Sequence, residues 1–232
     1  MQANKRLIKD IQTMISDEMS SMGVYYSYED ANIKRGTALI FGPEETPYED
    51  CPLFFSVAIP NDYPFTSPVV LMISSDGKTR FHPNLYVNGK VCLSILGTYT
   101  GPSWVSTLNI GSVFKSIVSL LDKNPIVNEP GWESYTLESV FARDYSEWVE
   151  YHLLEMIVTE YGQFKIGTNP SWKLFQEVFE GGWTERWSRI KKKIASRAET
   201  VGSKTYKKSP YGMGGEVNWN SLLARAESLD KI

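Results

Sequence analysis

Short runs of β-branched and aromatic residues, separated by turn sequences, dominate residues 24–73. The runs IKRGTALIFG, LFFSVAIP and VVLMI are typical of strands. The linkers GPEETPYED and PNDYPFTSP are turn sequences in which proline fixes φ and ends strand pairing. Short turns between consecutive strands favour an antiparallel meander of three or four strands.

Helical periodicity lies on both sides of this region. Apolar residues at three- and four-residue steps predict an amphipathic helix over residues 4–21. A second helix is predicted over residues 110–123, with Pro125 after its end, and a third over residues 137–161, closing at Gly162. The layout indicates an α+β domain: an N-terminal helix, an antiparallel sheet and then several helices.

The last third of the chain predicts a helical C-terminal extension. One apolar stripe contains Trp172 and Phe179, another contains Trp187 and Ile194, and Gly181-Gly182 is expected to separate them. The Gly-, Ser- and Lys-rich residues 201–216 are predicted to be flexible, with a short helix after them. We therefore divide the chain into a core domain, 1–165, and an extension, 166–232. The stripe is expected to pack on the domain's own helices; an exposed stripe would instead be a recognition surface.

Composition excludes several classes of protein. A net charge of −3 and a pI near 5.6 are not typical of proteins that bind nucleic acid, which carry an excess of positive charge. No apolar run approaches the roughly 18 residues that a membrane span needs, and the N-terminus lacks the apolar segment of a secretory signal. Two cysteines are too few for a disulfide framework or a zinc site. We expect an intracellular protein, in the cytoplasm and/or nucleus, whose thiols stay reduced.

The stretch FHPNLYVNGKVCLSIL contains one of these cysteines, Cys92. Asn88-Gly89 is a strong turn signal because both residues tolerate φ > 0. The turn folds the segment before it back onto the segment after it, so Asn84 and Cys92 can approach each other. Pro83 limits the backbone freedom of the asparagine's segment.

Spacing alone leaves several chemistries open for this pair. A cysteine hydrolase would need a histidine base, and His82 could serve only if its ring faced Cys92. A metal site would need further ligands. In acyl transfer, the thiol would carry an acyl group as a thioester, and the Asn84 amide would stabilise the oxyanion formed when an amine attacks. Alternatively, Asn84 only caps a turn and Cys92 is a small buried apolar residue.

A series of ordered motifs resembles the ubiquitin-conjugating enzymes over residues 4–160. The motifs are GPEETPYED, IPNDYPFTSP, FHPN, NGKVCLSIL, a following tryptophan and SIVSLL before a proline turn. The residues that match the family's catalytic pattern are His82, Pro83, Asn84, Gly89, Cys92 and Leu93. The resemblance implies the family's fold, with a four-stranded meander. It also implies a thioester on Cys92, oxyanion stabilisation by Asn84, and structural support from His82, Pro83 and Gly89.

The resemblance also implies the partners. The enzyme would receive ubiquitin or a ubiquitin-like modifier from an activating enzyme and pass it to a substrate lysine or a ligase. The activating enzyme would meet Lys5, Arg6 and Lys9 on the first helix, and a ubiquitin ligase would meet Phe65 and Trp104. Asn128 or Glu129 would occupy an acidic gate position. No cofactor or metal is implied, because ATP is used by the activating enzyme; nucleic acid and membranes are not expected partners.

Some positions depart from the family pattern. The loop between Cys92 and Trp104 is longer than in compact members, and GTYTG and NEPGWE resemble the long-loop subgroup that includes the conjugating domain of the giant inhibitor-of-apoptosis protein BRUCE. Ser94 stands where many members have aspartate, and Phe81 where many have tyrosine, so transfer to lysine is less firmly implied than loading. Cys51 is expected to be non-catalytic. The alternative function is a non-catalytic module that binds ubiquitin or a ligase through the same fold.

Overall fold

Four strands follow one another in chain order and pair antiparallel as a meander. A computed structural model describes residues 2–207 and 210–231, with side chains from Lys5 onward. The strands are β1 (Val24–Glu29), β2 (Asn32–Phe41), β3 (Pro52–Ala58) and β4 (Val69–Met72). Their order in the sheet is β1-β2-β3-β4, with Tyr26 opposite Ala38 and Ala38 opposite Phe55. The predicted four-stranded meander is confirmed.

Along β3, both faces of this sheet are buried. The consecutive β3 residues Leu53, Phe54 and Phe55 are each at most 2% exposed. Their side chains alternate between the faces, because successive residues of a strand point in opposite directions. An antiparallel sheet often leaves one face to solvent. Here the continuous apolar run has packing partners on both sides.

Helices supply those partners. The helices of the first 165 residues are α1 (Gln2–Met14), α2 (Asp17–Ser21), α3 (Ile110–Leu120) and α4 (Val140–Lys165). Phe114 of α3 contacts Phe55 edge to face, with 6.0 Å between ring centroids. On the opposite face, Phe54 contacts Trp172 and Phe179 of the C-terminal extension. The sheet is therefore the middle layer of three.

Several predicted helix boundaries are wrong. The helix α3 ends at Leu120 rather than at residue 123, and α4 begins at Val140 rather than at residue 137. The helix expected over residues 4–21 is interrupted after Met14, because Ser16 has an extended backbone (φ −82°, ψ 160°) and its hydroxyl donates to the Thr13 carbonyl. In addition, α4 does not end at Gly162 but continues to Lys165. A Cβ at Gly162 would lie 3.2 Å from Leu229 Cδ2, so the glycine provides room for packing rather than a helix end.

The extension is helical, as expected, but one helix is longer than predicted. Its elements are α5 (Pro170–Leu174), α6 (Gln176–Thr200), β5 (Ser203–Tyr206), β6 (Gly215–Asn218) and α7 (Trp219–Ser228). Gly181-Gly182 does not break α6. Phe179, Trp183 and Trp187 recur at four-residue steps through the glycines and are at most 5% exposed, so one continuous apolar face stabilises the helix. Trp172 stacks on Phe179 with ring centroids 4.3 Å apart.

The segment predicted to be flexible, residues 201–216, contains a β-hairpin in the structure. Strands β5 and β6 pair from Ser203 with Asn218 to Tyr206 with Gly215; residues 208 and 209 lie outside the described part of the chain. The hairpin is bonded to α4, because Lys204 Nζ and the Tyr206 hydroxyl both donate to the Glu147 carboxylate, at 2.6 and 2.9 Å. Contacts with a distant helix, rather than the local sequence, thus hold this segment.

Candidate active site

Asn84 and Cys92 are joined by two hydrogen bonds across a tight turn. The Cys92 N–H donates to the Asn84 carbonyl at 2.8 Å, and Asn84 Nδ2 donates to the Cys92 carbonyl at 2.8 Å. The turn closes at Asn88-Gly89, where Gly89 has φ +88°, a conformation that favours glycine. A Cβ at Gly89 would also lie 2.7 Å from the Met72 carbonyl oxygen, so β4 packs directly on the turn. The structure thus brings together the two residues that the sequence predicted to meet.

His82 holds the segment that carries Asn84. Its ring is fully buried, and Nδ1 accepts a hydrogen bond from the Asn84 backbone N–H at 2.9 Å. Burial lowers the pKa of His82 to about 3, so the imidazole is neutral at physiological pH. An imidazole with so low a pKa is a poor proton acceptor, and its Nδ1 lone pair faces the backbone. This environment supports a structural role for His82 rather than that of a hydrolase base.

The two cysteines have different environments. Cys51 is fully buried in the hydrophobic core, and burial raises the pKa of its thiol far above the usual value. Cys92 is 4% exposed and lies beside this core rather than within it. Neither forms a disulfide. Both thiols are thus buried, and Cys92 differs from Cys51 in lying outside the core cluster and on the turn with Asn84.

The loop after Cys92 folds back on the residues that follow the cysteine. The Thr98 hydroxyl donates to the Val91 carbonyl and accepts from the Leu93 N–H at 3.0 Å. A Cβ at Gly101, which has φ +133°, would lie 3.0 Å from Ser94 Cβ. Gly101 of the loop is thus packed against Ser94, two residues after Cys92.

The two candidate gate residues have different partners. Asn128 Nδ2 donates to the Asp122 carboxylate at 3.1 Å and to the Pro125 carbonyl at 3.2 Å. Glu129 accepts a hydrogen bond of 2.5 Å from the hydroxyl of Tyr211, and its carboxylate lies 3.8 Å from the Arg80 guanidinium. Glu129 is thereby linked to the segment that leads into His82.

Arg80 and Tyr211 are site residues that sequence reasoning missed. The Arg80 guanidinium lies between two rings, 3.8 Å from the centroid of Tyr86 and 4.1 Å from that of Tyr211. It also donates to the carbonyl of Pro83. Arg80 stands two residues before His82, which could have drawn attention to it. Tyr211 lies in a Gly-rich segment that carries no local signal of a role at this site.

Comparison with known proteins identifies the family. The family described as ubiquitin-conjugating enzyme matches residues 6–149, which include the whole meander and the Asn84–Cys92 turn. The chain belongs to the ubiquitin-conjugating enzyme family. Enzymes of this family are thioester-forming transferases that interact with ubiquitin, activating enzymes, ligases and substrates. The predicted fold and the predicted class of enzyme are confirmed.

The similarity extends beyond the family match into the C-terminal extension. The chain is 33% identical over 226 residues to ubiquitin-conjugating enzyme E2 Z of Xenopus tropicalis, covering 97% of this chain and 70% of that protein. It is 33% identical over 222 residues to ubiquitin-conjugating enzyme E2 Z of Homo sapiens, covering 95% of this chain and 60% of that protein. The chain thus spans between 60% and 70% of the length of these two relatives.

The residues predicted to contact the activating enzyme all lie on α1, but they differ in exposure and in their bonds within the chain. Lys5 and Lys9 are exposed. Arg6 uses its guanidinium within the chain, donating to the carbonyls of Ser106 at 2.9 Å and Leu108 at 2.6 Å. Arg6 therefore anchors the loop after Trp104 to the first helix, a role that the sequence did not indicate.

The predicted ligase contacts share one surface. Phe65 is 79% exposed, an unusual position for a large apolar side chain. Trp104 Nε1 donates to the carbonyl of Pro64 at 2.7 Å, so the loop after Cys92 reaches the residue next to Phe65. Tyr63 packs on Trp104 with ring centroids 6.0 Å apart. The structure brings together these two candidates from separate loops.

Within 2–207 and 210–231, no helix combines the length and the hydropathy that a membrane span requires. The same residues contain no group of three or more His, Cys, Asp or Glu side chains that could bind a metal ion.

Proposed function

We propose that this conjugating enzyme carries ubiquitin, or a ubiquitin-like modifier, as a thioester on Cys92. It would accept the modifier from an activating enzyme and transfer it to a substrate lysine or to a ligase. The hydrogen bond from Asn84 Nδ2 to the Cys92 carbonyl is the observation that carries this proposal, because it holds a donor amide on the residue that bears the thiol.

Loading is a thioester exchange. Cys92 gives up its proton and the thiolate attacks the carbonyl carbon of the modifier's C-terminus to form a new C–S bond. The C–S bond to the activating enzyme's sulfur breaks, and the thiolate released there takes up a proton. One thioester replaces another, so the step is nearly thermoneutral and needs no cofactor on this chain. ATP is consumed earlier, by the activating enzyme.

Discharge to an amine requires the asparagine. The amine nitrogen attacks the thioester carbonyl, the carbonyl oxygen becomes an oxyanion, the C–S bond then breaks to release the Cys92 thiolate, and the amine loses a proton. The Asn84 side-chain amide has two N–H donors. One is bonded to the Cys92 carbonyl in the resting structure, which leaves the second for the oxyanion. Loss of one such donor typically costs about 2.7–4 kcal/mol in the transition state.

Orientation of the acceptor lysine is proposed to involve Glu129 rather than Asn128. Both side chains have partners within the chain, Asp122 and the Pro125 carbonyl for Asn128, and Arg80 and Tyr211 for Glu129. Glu129 is preferred because it is the acidic one and because its partner Arg80 bonds the Pro83 carbonyl next to Asn84. For the partners, exposed Lys5 and Lys9 are the proposed activating-enzyme contacts, with Arg6 supporting the loop at residues 106–108. Phe65 and Trp104 are the proposed ligase contacts.

The long loop after Cys92 supports placing this chain in the long-loop subgroup that includes the conjugating domain of BRUCE. Unpaired Cys51 and Cys92 support a reducing compartment, the cytoplasm and/or nucleus, because a thioester can form only on a reduced thiol. We also propose that the chain consists of a conjugating core, residues 1–165, and a helical extension, residues 166–232.

A loading assay tests the proposal. The protein is mixed with ATP, ubiquitin and an activating enzyme, and the products are separated on a non-reducing gel. We expect an adduct that a thiol reagent removes, that Cys51→Ser retains, and that becomes thiol-resistant in Cys92→Ser as an oxyester. Affinity for ubiquitin without an adduct, across a panel of modifiers and activating enzymes, would instead indicate a non-catalytic binding module.

A further inference from the structure

The peptide unit that precedes Asn84 is held at both of its polar ends. Its N–H, the backbone amide of Asn84, donates to His82 Nδ1 at 2.9 Å. Its carbonyl, that of Pro83, accepts a hydrogen bond from the Arg80 guanidinium. Because a peptide unit is planar, fixing both ends fixes the direction in which the Asn84 Cα leaves it. The side-chain amide is then held by its bond to the Cys92 carbonyl.

Arg80 is in turn held by both the catalytic turn and the extension. Tyr86, which lies inside the Asn84–Cys92 turn, covers one side of the guanidinium at 3.8 Å, and Tyr211 covers another at 4.1 Å. Such stacking suits the planar guanidinium of arginine and not the ammonium of lysine. The backbone of Arg80 is also bonded, since its carbonyl accepts from the Tyr145 hydroxyl at 3.0 Å and its N–H donates to Met213 Sδ at 3.2 Å.

Tyr211 occupies a constrained position. Its φ is +65°, in the left-handed region that non-glycine residues seldom adopt and that persists where surrounding contacts hold it. Those contacts include the hydroxyl bond to Glu129 and an edge-to-face contact with Tyr145, at 6.2 Å between ring centroids. The loop between β5 and β6 thus presents a fixed ring to Arg80.

From this chain of contacts we propose that Arg80 and Tyr211 are positioning residues for Asn84, so that the C-terminal extension completes the catalytic turn. Tyr211 holds the guanidinium in place, the guanidinium holds the Pro83 carbonyl, and the resulting peptide orientation aims the Asn84 amide. This inference rests on the proposed role of Asn84 in discharge. It assigns the extension a part in the transfer step and not in loading, because loading does not depend on the asparagine.

Single-turnover discharge tests the proposal. The protein is first loaded with ubiquitin on Cys92, and further loading is stopped by chelating Mg²⁺. Loss of the thioester is then followed over a range of free lysine concentrations. We expect Arg80→Lys and Arg80→Met to lower the maximal discharge rate about tenfold, and Tyr211→Ala about three- to fivefold, with little change in the half-saturating lysine concentration. Tyr211→Phe keeps the ring but loses the hydroxyl bond to Glu129, so it should retain more discharge than Tyr211→Ala.

Matched controls separate positioning from general destabilisation. Tyr28→Ala removes a tyrosine of similar exposure on β1, 41% against 37% for Tyr211, and should discharge like wild type. Arg225→Lys alters an arginine on α7, whose guanidinium bonds Glu155 and Thr159, and should also have no effect. If Arg80→Met proves too unstable to assay, Arg80→Lys and Tyr211→Ala carry the test.

Two further readouts are specific to action through Asn84. In an Asn84→Ala background, Arg80→Met should cause no additional loss of discharge, because the group it positions is already absent. In the unloaded protein, the side-chain amide NMR signal of Asn84 should shift in Arg80→Lys and Tyr211→Ala but not in Tyr28→Ala. Two outcomes would overturn the positioning role and leave the proposed function intact. One is discharge at wild-type rates in the Arg80 and Tyr211 variants, and the other is a full further loss of discharge rate when Arg80→Met is added to Asn84→Ala. Wild-type protein that never loads overturns the proposed function instead.

Discussion

Asn84 and Cys92 exchange two hydrogen bonds of 2.8 Å, one between their backbones and one from the asparagine side chain to the cysteine carbonyl. The amide is therefore anchored to the backbone of Cys92 before any modifier is bound. A donor fixed in advance need not be reoriented during the reaction, which is the basis of electrostatic preorganisation.

The first prediction separates loading from discharge. Asn84→Ala should retain thioester formation within a few-fold, whereas discharge to free lysine should fall by about 10²–10³-fold. Pulse-chase gels with labelled ubiquitin measure both steps. Asn32→Ala is the matched control, because the Asn32 side chain accepts a hydrogen bond from the Lys34 N–H at 3.1 Å at the start of β2, and it should leave the ratio of the two rates unchanged. Equal loss of loading and discharge in Asn84→Ala would mean that the asparagine is mainly structural.

The second prediction concerns thiol reactivity. Iodoacetamide at pH 8 should alkylate Cys92 well before Cys51, because Cys51 is fully buried and burial raises the pKa of its thiol. Intact and peptide mass spectrometry should find one modification on the native protein, at Cys92. Cys92→Ser should resist alkylation until denaturant is added. Comparable labelling of Cys51 in the native protein would contradict the buried position of that residue.

The third prediction is a pH dependence of stability at Glu160. Its carboxylate accepts a hydrogen bond from Trp172 Nε1 at 3.0 Å, and burial raises its pKa from the usual 4.5 to about 7. Between pH of about 4.5 and 7, the folded chain therefore keeps the Glu160 proton that the unfolded chain has lost. The free energy of unfolding falls as the pH rises through this range and stays lower above it.

Glu160→Gln should remove this loss, because an amide accepts the same bond without ionising. Thermal or urea unfolding should show the variant more stable than wild type by about 1–3 kcal/mol at pH 8 and similar to it near pH 5. Glu180→Gln, on the exposed side of α6, is the control and should show no such pH-dependent difference. Equal effects of Glu160→Gln at both pH values would argue against a raised pKa.

The fourth prediction concerns the ionic contact between the core and α6. Asp50 is 4% exposed and accepts hydrogen bonds of 2.7 Å from both Arg186 and Arg189. Asp50→Asn should destabilise the protein by about 3 kcal/mol, because it leaves two guanidinium groups without their carboxylate. Urea unfolding measures the loss.

Two comparisons sharpen this prediction. Asp50→Ala should be worse than Asp50→Asn, since Asp50 has φ +62° and asparagine tolerates this conformation better than alanine. Asp230→Asn, at a more exposed pair with Lys191, should cost less than about 1 kcal/mol. Similar losses at Asp50 and Asp230 would show that the contact with α6 contributes no more than a surface ion pair.

Much of the fold and site was predictable because the signals are local. Alternating apolar runs between short turns determined the meander, and Asn88-Gly89 with Pro83 determined the turn that brings Asn84 to Cys92. These features depend on the backbone preferences of a few neighbouring residues. The resemblance in ordered motifs added the family, which the comparison with known proteins then confirmed.

Errors occurred where a local signal competed with packing. Gly181-Gly182 suggested a helix break, but the apolar face of α6, buried against the sheet and α4, offsets the intrinsic cost of about 1 kcal/mol per glycine. The Gly-rich segment near residues 201–216 suggested flexibility, but its bonds to Glu147 on α4 hold it as a hairpin.

By itself, then, the sequence determined the strands, the main helices and the reactive turn, because each follows from steric and hydrogen-bonding preferences over a few residues. The tertiary structure decided what surrounds that turn. Arg80 and Tyr211 are far apart in the chain, and their contact exists because α6 covers the outer face of the sheet while the hairpin is bonded to α4. Burial of apolar surface contributed by distant elements drives that arrangement, and no short stretch of sequence encodes it.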